Sequence, residues 1–179
     1  MKKTKAQIDA DTKRILGSGG FRLIATVSLR GAYEFIASYH FYVGTTDEGV
    51  RISFLGENFR SLFLNELEET CGSRAKFRVY KSTGGSPHVP TIIERSIDHR
   101  TDLVHLCQLL KKQPKGGRGP LSTNGNERNF FCISDDKIHD NKVGLWEVEV
   151  YWEDDGWHID AGSLESSAGC RKGDRIFAR

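Results

Sequence analysis

The sequence predicts an α+β fold, in which two main helices pack on a mostly antiparallel, twisted sheet. Three observations lead to this prediction. Several short segments alternate apolar and polar residues, as half-buried strands do. Two longer segments repeat their apolar residues at the helical spacing of about 3.6 residues. The third observation is a hairpin pattern over residues 144–163, GLWEVEVYWEDDGWHIDAGS. The resulting order, β-β-β-α-β-α-β-β-β-β, is typical of an α+β domain.

The hairpin is the segment around which the rest of the fold is predicted. Asp155-Gly156 indicates a two-residue type I′ turn, whose central residues both need positive φ. This turn would pair Glu153 with His158. One face is then apolar: Trp146, Val148, Val150, Trp152, Trp157, Ile159 and Ala161. The other face is polar: Glu147, Glu149, Tyr151, Glu153, His158 and Asp160. We expect the apolar face to form core and the polar face to contact water. A tryptophan platform that stacks bases or sugars is the alternative.

The other elements are assigned in chain order. Residues 1–20 are a charged N-terminal arm that ends in a glycine-rich joint, and residues 21–179 form a single α+β domain. Alternation predicts strands at 21–30, 33–43, 50–54, 76–81 and 129–134, a short strand or lead-in at 91–97, and a last strand at 175–177. Helices are predicted at 57–70 and 98–113, the second capped by Asp98 or Thr101 and ended by Pro114. Residues 82–90 and 114–127 are predicted loops, and 135–141 a turn.

Composition indicates an ordinary soluble chain. It has 179 residues, 28% of them charged, and a net charge of +2, which neither requires nor excludes an anionic partner. No apolar run approaches the roughly 20 residues that cross a bilayer, and the N-terminus lacks the apolar region of a secretory signal. Four cysteines, Cys71, Cys107, Cys132 and Cys170, form no C-x-x-C pair, so neither zinc nor a disulfide framework is expected. We therefore expect a cytoplasmic protein with no metal, no cofactor and no membrane partner.

Three segments resemble a family of short bacterial proteins that have no known activity. They are ISFLGENFRSLFL at 52–64, DGWHIDAGSLE at 155–165 and GDRIFAR at 173–179. The family shares an I-S-F-L-G-x-N-F segment, a helix, a D-G-W hairpin and a C-terminal G-x-R-x-F-x-R ending. Cys170-Arg171-Lys172 stand where related sequences often carry a tryptophan. The resemblance implies a bacterial or mobile-element origin, and it implies no catalytic site.

Three hypotheses for function follow. The first is a small soluble binding protein without catalytic activity whose partner is another protein, because the chain has no specific catalytic motif. The second is a nucleic-acid-binding accessory protein that uses the 111–118 loop and the tail: Lys111, Lys112, Lys115, Arg118, Arg171, Lys172, Arg175 and Arg179. The third is a hydrolase that uses Glu149, His158 and Asp160 for general acid–base catalysis. The simplest interpretation of those three hairpin residues is a solvated sheet face.

Overall fold

The computed structural model describes residues 20–31, 35–64, 74–84, 101–139, 142–153, 155–164 and 169–179, with the backbone alone described at 134–139 and 142–144. Eight strands form one sheet: β1 Phe21–Leu29, β2 Gly44–Thr45, β3 Arg51–Leu55, β4 Ala75–Ser82, β5 Asn129–His139, β6 Lys142–Glu153, β7 Gly156–Ser163 and β8 Arg175–Ala178. The described helices are α1 Ala37–His40, α2 Glu57–Phe63 and α3 Leu103–Lys112.

The sheet is mixed but mostly antiparallel. Its strand order is β1-β4-β8-β5-β6-β7-β3-β2. The pairs β5–β8 and β3–β7 are parallel, and the other pairs are antiparallel. The predicted α+β class, the mostly antiparallel sheet and the two main helices are confirmed. No helix among the described residues has the length and apolar character needed to span a membrane.

The main core lies on the side of the sheet that carries the apolar face of the hairpin. It contains Val148, Val150, Trp157, Ile159 and Ala161 from the hairpin, with Phe59 of α2 and six hydrophobic residues of α3. Trp157 is fully buried, and its indole N–H donates a hydrogen bond of 3.0 Å to the carbonyl of Gln113. The prediction that the apolar face packs inward is therefore confirmed, although Trp146 and Trp152 are only partly buried.

The opposite side of the sheet is also partly buried. Alternation along β5 sends Phe131 into the main core and Phe130 to the other side. There a second cluster is buried: Phe21, Tyr80, Phe130, Cys132, Leu164, Ile176 and Ala178, with Leu145 and Cys170 packed against it. Glu147, on the polar face of the hairpin, is also buried, with only 8% of its surface exposed. Our expectation of a uniformly solvated polar face is wrong at this end of the hairpin, because the sheet has core on both sides here.

The hairpin register differs from the predicted one by two residues. Glu153 pairs with Gly156 rather than with His158, and Tyr151 pairs with His158. A shift of two keeps every side chain on its predicted face, because the side-chain period of a strand is two. Gly156 has φ +149°, and a Cβ there would lie 2.4 Å from Ser53 Oγ and 2.9 Å from the carbonyl oxygen of Arg51. The glycine is thus required by the neighbouring strand β3 and not by a type I′ turn.

The predicted strand at 33–43 is wrong within its described part. Residues 37–40 form the single-turn helix α1 instead. This turn brings the ring of His40 back onto that of Phe35, with ring centroids 4.8 Å apart and planes 9° apart. Phe41 meanwhile packs edge-on against Phe59, at 5.3 Å. Packing of these rings outweighs the local alternation, since propensity is a weak determinant when buried contacts are available.

Several predicted boundaries also change. β5 continues to His139, where a turn was expected, and α3 begins at Leu103 with Asp102 at the N-cap rather than Asp98 or Thr101. β1 carries an irregularity between Leu23 and Ala25, so that Phe21 joins the second cluster instead of the main core. The predicted arm at 1–19, the helix end at 65–70 and the strand at 91–97 lie outside the described residues, as does most of the 82–90 loop.

Candidate binding surface

Exposed large hydrophobic side chains occur at the two edges of the sheet. Those of the described residues are Leu23 and Ile24 on edge strand β1, and Tyr39, Tyr42, Val43 and Phe54 around edge strand β2. Tyr39 is 66% exposed, Val43 51% and Phe54 43%. Isolated exposed apolar residues are normal on a protein surface, whereas grouped ones indicate a contact surface. We call Tyr39, Tyr42, Val43 and Phe54 the aromatic edge surface.

Ionic contacts hold this surface in place. Glu48, in the β2–β3 turn, accepts a hydrogen bond of 2.6 Å from Lys111 Nζ at the end of α3. The same carboxylate oxygen lies 3.2 Å from Nδ1 of His40, the last residue of α1. The hydrogen bond from Lys111 lowers the pKa of Glu48, whereas burial lowers the pKa of His40. One charged carboxylate therefore joins α1, the turn and α3, and it fixes the segment that carries Tyr39 and Tyr42.

Phe54 also connects the aromatic edge surface to the polar face of the hairpin. Its ring stacks on His158 at 5.6 Å, and His158 lies 5.0 Å from the ring of Tyr151. The guanidinium carbon of Arg128 lies 3.6 Å from the centroid of the Tyr151 ring. These four side chains form a continuous stack across β3, β7 and β6 to the residue before β5. Because each ring face inside the stack is occupied by its neighbour, the stack offers little platform for bases, and Phe54 is its exposed end.

The three predicted catalytic residues do lie on one face of the hairpin. Glu149 and Asp160 are directly opposite each other in the β6–β7 pair. Burial raises the pKa of Glu149, although its ion pair with Arg128, at 2.6 Å from Nε, opposes this. Asp160 Oδ1 accepts the backbone N–H of Ala161 at 2.8 Å. Each carboxylate therefore has a separate structural partner, and the pair is the feature on which a hydrolase hypothesis depends.

His158 belongs to a different group. Its Nε2 lies 3.2 Å from Asp155 Oδ1 and 3.5 Å from Glu153 Oε2. These three ligand atoms lie within 4.8 Å of one another, and the described part of the chain holds no other such group of three. One nitrogen and two carboxylates are a donor set that suits a divalent cation. The hydrogen bond with His158 lowers the pKa of Asp155, so these two side chains also satisfy each other without a cation.

The predicted nucleic-acid-binding residues are only partly brought together. Arg175 Nη1 donates to the carbonyl oxygens of Pro120, at 2.7 Å, and Gly119, at 3.4 Å, so the basic loop lies against the start of β8. Six of the eight residues are exposed: Lys112, Lys115, Arg118, Arg171, Lys172 and Arg179. Lys111 is instead committed to Glu48. Of the tail residues, Arg175 is therefore the one that the structure shows in contact with the end of the basic loop.

The 114–127 loop is ordered by two buried amides. The backbone N–H of Leu121 donates to the side-chain oxygen of Gln113 at 2.7 Å, and the side-chain nitrogen of Gln113 donates to the carbonyl oxygen of Leu121 at 3.1 Å. Asn129 and Ser122 make an equivalent pair, at 2.7 and 3.0 Å. Such satisfied amides fix a backbone that has no helix or strand partners. The loop therefore has a conformation that is fixed by these hydrogen bonds.

Two of the cysteines are unsuited to nucleophilic catalysis. Burial raises the pKa of the Cys107 thiol to about 11 and raises that of Cys170 as well. The thiolate is the reactive form, and both side chains remain thiols at neutral pH.

Sequence patterns missed most of the candidate surface. Alternation predicts strands at 33–43 and 50–54, and nothing in that pattern indicates that Tyr39 and Phe54 are exposed. No sequence motif marks Arg128, which directly precedes β5. Only the hydrophobic character of residues 39–43 was a usable signal. Comparison with protein-family models, with curated proteins and with solved structures found no significant match.

Proposed function

We propose that this is a non-catalytic binding protein, which recognises a protein partner through the aromatic edge surface. The observation that carries the proposal is the exposure of four large apolar side chains on α1, on β3 and in the segment that leads into edge strand β2: Tyr39, Tyr42, Val43 and Phe54. Tyrosine and phenylalanine are enriched in protein interfaces, where a large ring is buried at low cost in side-chain entropy.

The surroundings of this surface resemble those of an interface. Glu153 and Asp155 are 51% and 61% exposed, and both contact His158, which stacks on Phe54. Charged groups beside an apolar patch form the polar rim of a typical interface. The edge strand β2 pairs with only Arg51 and Ile52 of β3. Both apolar contact and backbone hydrogen bonds are therefore offered to a partner at the same place.

The test compares the wild-type protein with Tyr39→Ser combined with Val43→Ser. Chemical crosslinking in the native host, followed by mass spectrometry, identifies partners of the wild-type protein, and binding is then measured with the purified partner. We expect the variant to lose at least about tenfold in affinity, since truncating central aromatic residues commonly costs 2 kcal/mol or more. Unchanged affinity for every partner, with an unchanged melting temperature, would reject the aromatic edge surface as the binding site.

A nucleic-acid-binding accessory function is the second candidate. It is supported by the contact of Arg175 with Gly119 and Pro120, which places the basic loop beside the tail. Its test is the matched control for the first: Lys112→Ala, Lys115→Ala and Arg118→Ala in one variant. If the second candidate is right, retention on DNA or RNA weakens steeply as salt rises, and this variant reduces the slope. Under the first proposal the same variant keeps its protein partner.

A further inference from the structure

The two edge strands of the sheet, β1 and β2, differ in length and composition. β2 has two residues, so it offers little backbone of its own to a further strand. β1 has nine residues, FRLIATVSL, with Arg22 as its one charged residue and no proline. In the described part of the chain, β4 alone pairs with β1. Among the residues that the structure describes, no strand lies on the outer side of this long edge strand.

Two features limit where pairing on β1 can occur. The irregularity between Leu23 and Ala25 leaves Ile24 without a partner in β4, and a bulge disrupts the ladder locally. At the other end, the side-chain amide of Gln108 takes both backbone groups of Arg30, accepting from its N–H at 3.0 Å and donating to its carbonyl oxygen. The regular part of the strand therefore spans residues 25–29.

We propose that β1 pairs antiparallel with β1 of a second copy of the protein, about a twofold axis through Val27. In this register Thr26 faces Ser28 of the second copy and Ala25 faces its Leu29. No charged residues are opposed, and a Thr–Ser pair across strands is favourable. The same register sets the bulged Ile24 opposite the second copy's Arg30, whose backbone groups are already taken by Gln108. The two positions that cannot pair thus face each other.

A second copy fits this edge better than an unrelated strand for that reason. The segment is complementary to itself in hydrogen bonding, in charge and in the placement of its irregular residue. Leu23 is 52% exposed and Ile24 37%, and both lie where the two copies would meet. Five paired residues make a small contact, below the roughly 1,200 Å² of a standard interface, so the dimer is weak. It would join two sheets at their β1 edges and leave the aromatic edge surface of each copy free.

Sedimentation velocity over a range of about 1 to 500 µM tests the proposal on the full chain, in the concentration range of weak complexes. We expect a reversible monomer–dimer equilibrium for the wild-type protein. Thr26→Lys with Ser28→Lys opposes like charges at both symmetric pairs, and we expect the dissociation constant to rise at least about tenfold. Thr26→Lys with Ser28→Glu opposes unlike charges in the same pairs and should restore the dimer. Both positions are exposed, so the monomer should keep its fold, which circular dichroism checks.

A wild-type protein that remains monomeric over the whole range overturns the proposal. So does a Lys–Lys variant that dimerises as well as the wild type. A Lys–Glu variant that is as monomeric as the Lys–Lys variant rejects the register through Val27. Loss of the dimer in these variants has no bearing on the aromatic edge surface, which lies at the opposite end of the sheet.

Discussion

Replacing Gly56 with alanine should test whether Asp160 is a structural residue. Gly56 is the N-cap of α2 and has φ −61° and ψ 153°, which alanine adopts without strain. An added Cβ would nevertheless lie 1.8 Å from Asp160 Oδ1 and 2.1 Å from its Cγ. The carboxylate would have to rotate away, and it would then lose its 2.8 Å hydrogen bond from the N–H of Ala161.

The expected magnitudes follow from these contacts. Asp160→Ala alone should cost about 1 kcal/mol of unfolding free energy, for one half-exposed hydrogen bond. Gly56→Ala alone should cost about 1.5 kcal/mol, because the same bond is lost and the carboxylate is strained, while the unfolded chain loses some entropy. The double variant should cost only about 0.5 kcal/mol, since no carboxylate remains to collide. The coupling between the two changes is then about 2 kcal/mol.

Urea denaturation of the four proteins measures this coupling directly, provided that the m-value stays constant. Gly117→Ala is the matched control, because nothing lies within 4 Å of a Cβ at Gly117. Its cost should simply add to that of Asp160→Ala. If the Gly56 and Asp160 changes also add, to within about 0.5 kcal/mol, the added methyl group does not displace the carboxylate and Asp160 has no structural role at this contact.

Three further predictions concern the hairpin and the aromatic edge surface. Gly156→Val should cost about 3 kcal/mol and lower the urea midpoint, because of its positive φ and its close approach to β3; an unchanged midpoint would show that this approach is relieved. Trp157→Phe should cost about 2 kcal/mol, because the carbonyl of Gln113 loses its donor. Trp146→Phe is its control and should cost less, since the Trp146 indole N–H has no hydrogen-bond partner in the described part of the chain. His40 has a pKa lowered from its ordinary value of 6.5, so the unfolded chain takes up the proton first and stability falls as pH drops below that value. His40→Phe should remove this loss of stability between about pH 7 and 5. If the unfolding free energy of the variant declines as much as that of the wild type, another group causes the pH dependence.

The faces of the hairpin were predictable because they depend on a period of two and on nothing distant. Trp157 and Glu149 point to the sides that alternation predicted. The register was not predictable, because a glycine after an aspartate is a turn signal in sequence terms, while Gly156 is needed for the approach of β3. That strand lies about 100 residues earlier in the chain, and its parallel pairing with β7 leaves no local sign.

The candidate surface was less predictable than the fold. Residues 35–43 alternate as a strand would, yet Phe35 and Phe41 gain more from ring contacts with His40 and Phe59 than a strand would give them. Tyr39 is exposed as a consequence of that packing. Alternation predicts correctly that the hairpin carboxylates share one face, but it cannot predict that Arg128 pairs with Glu149 or that the N–H of Ala161 donates to Asp160.

The positions of the exposed hydrophobic groups favour recognition by strand or peptide addition over binding on the flat of the sheet. Both sides of the sheet already carry buried clusters. At the edges, by contrast, β1 is long and has no described neighbour on its outer side, and β2 leaves Ser53, Phe54 and Leu55 of β3 without a described partner on that side. An incoming segment at either edge gains backbone hydrogen bonds together with apolar contact, and the two gains reinforce each other because the same residues supply both. Catalysis on the hairpin would require Glu149 and Asp160 to leave partners that hold the structure together, whereas binding at the edges requires no contact to break.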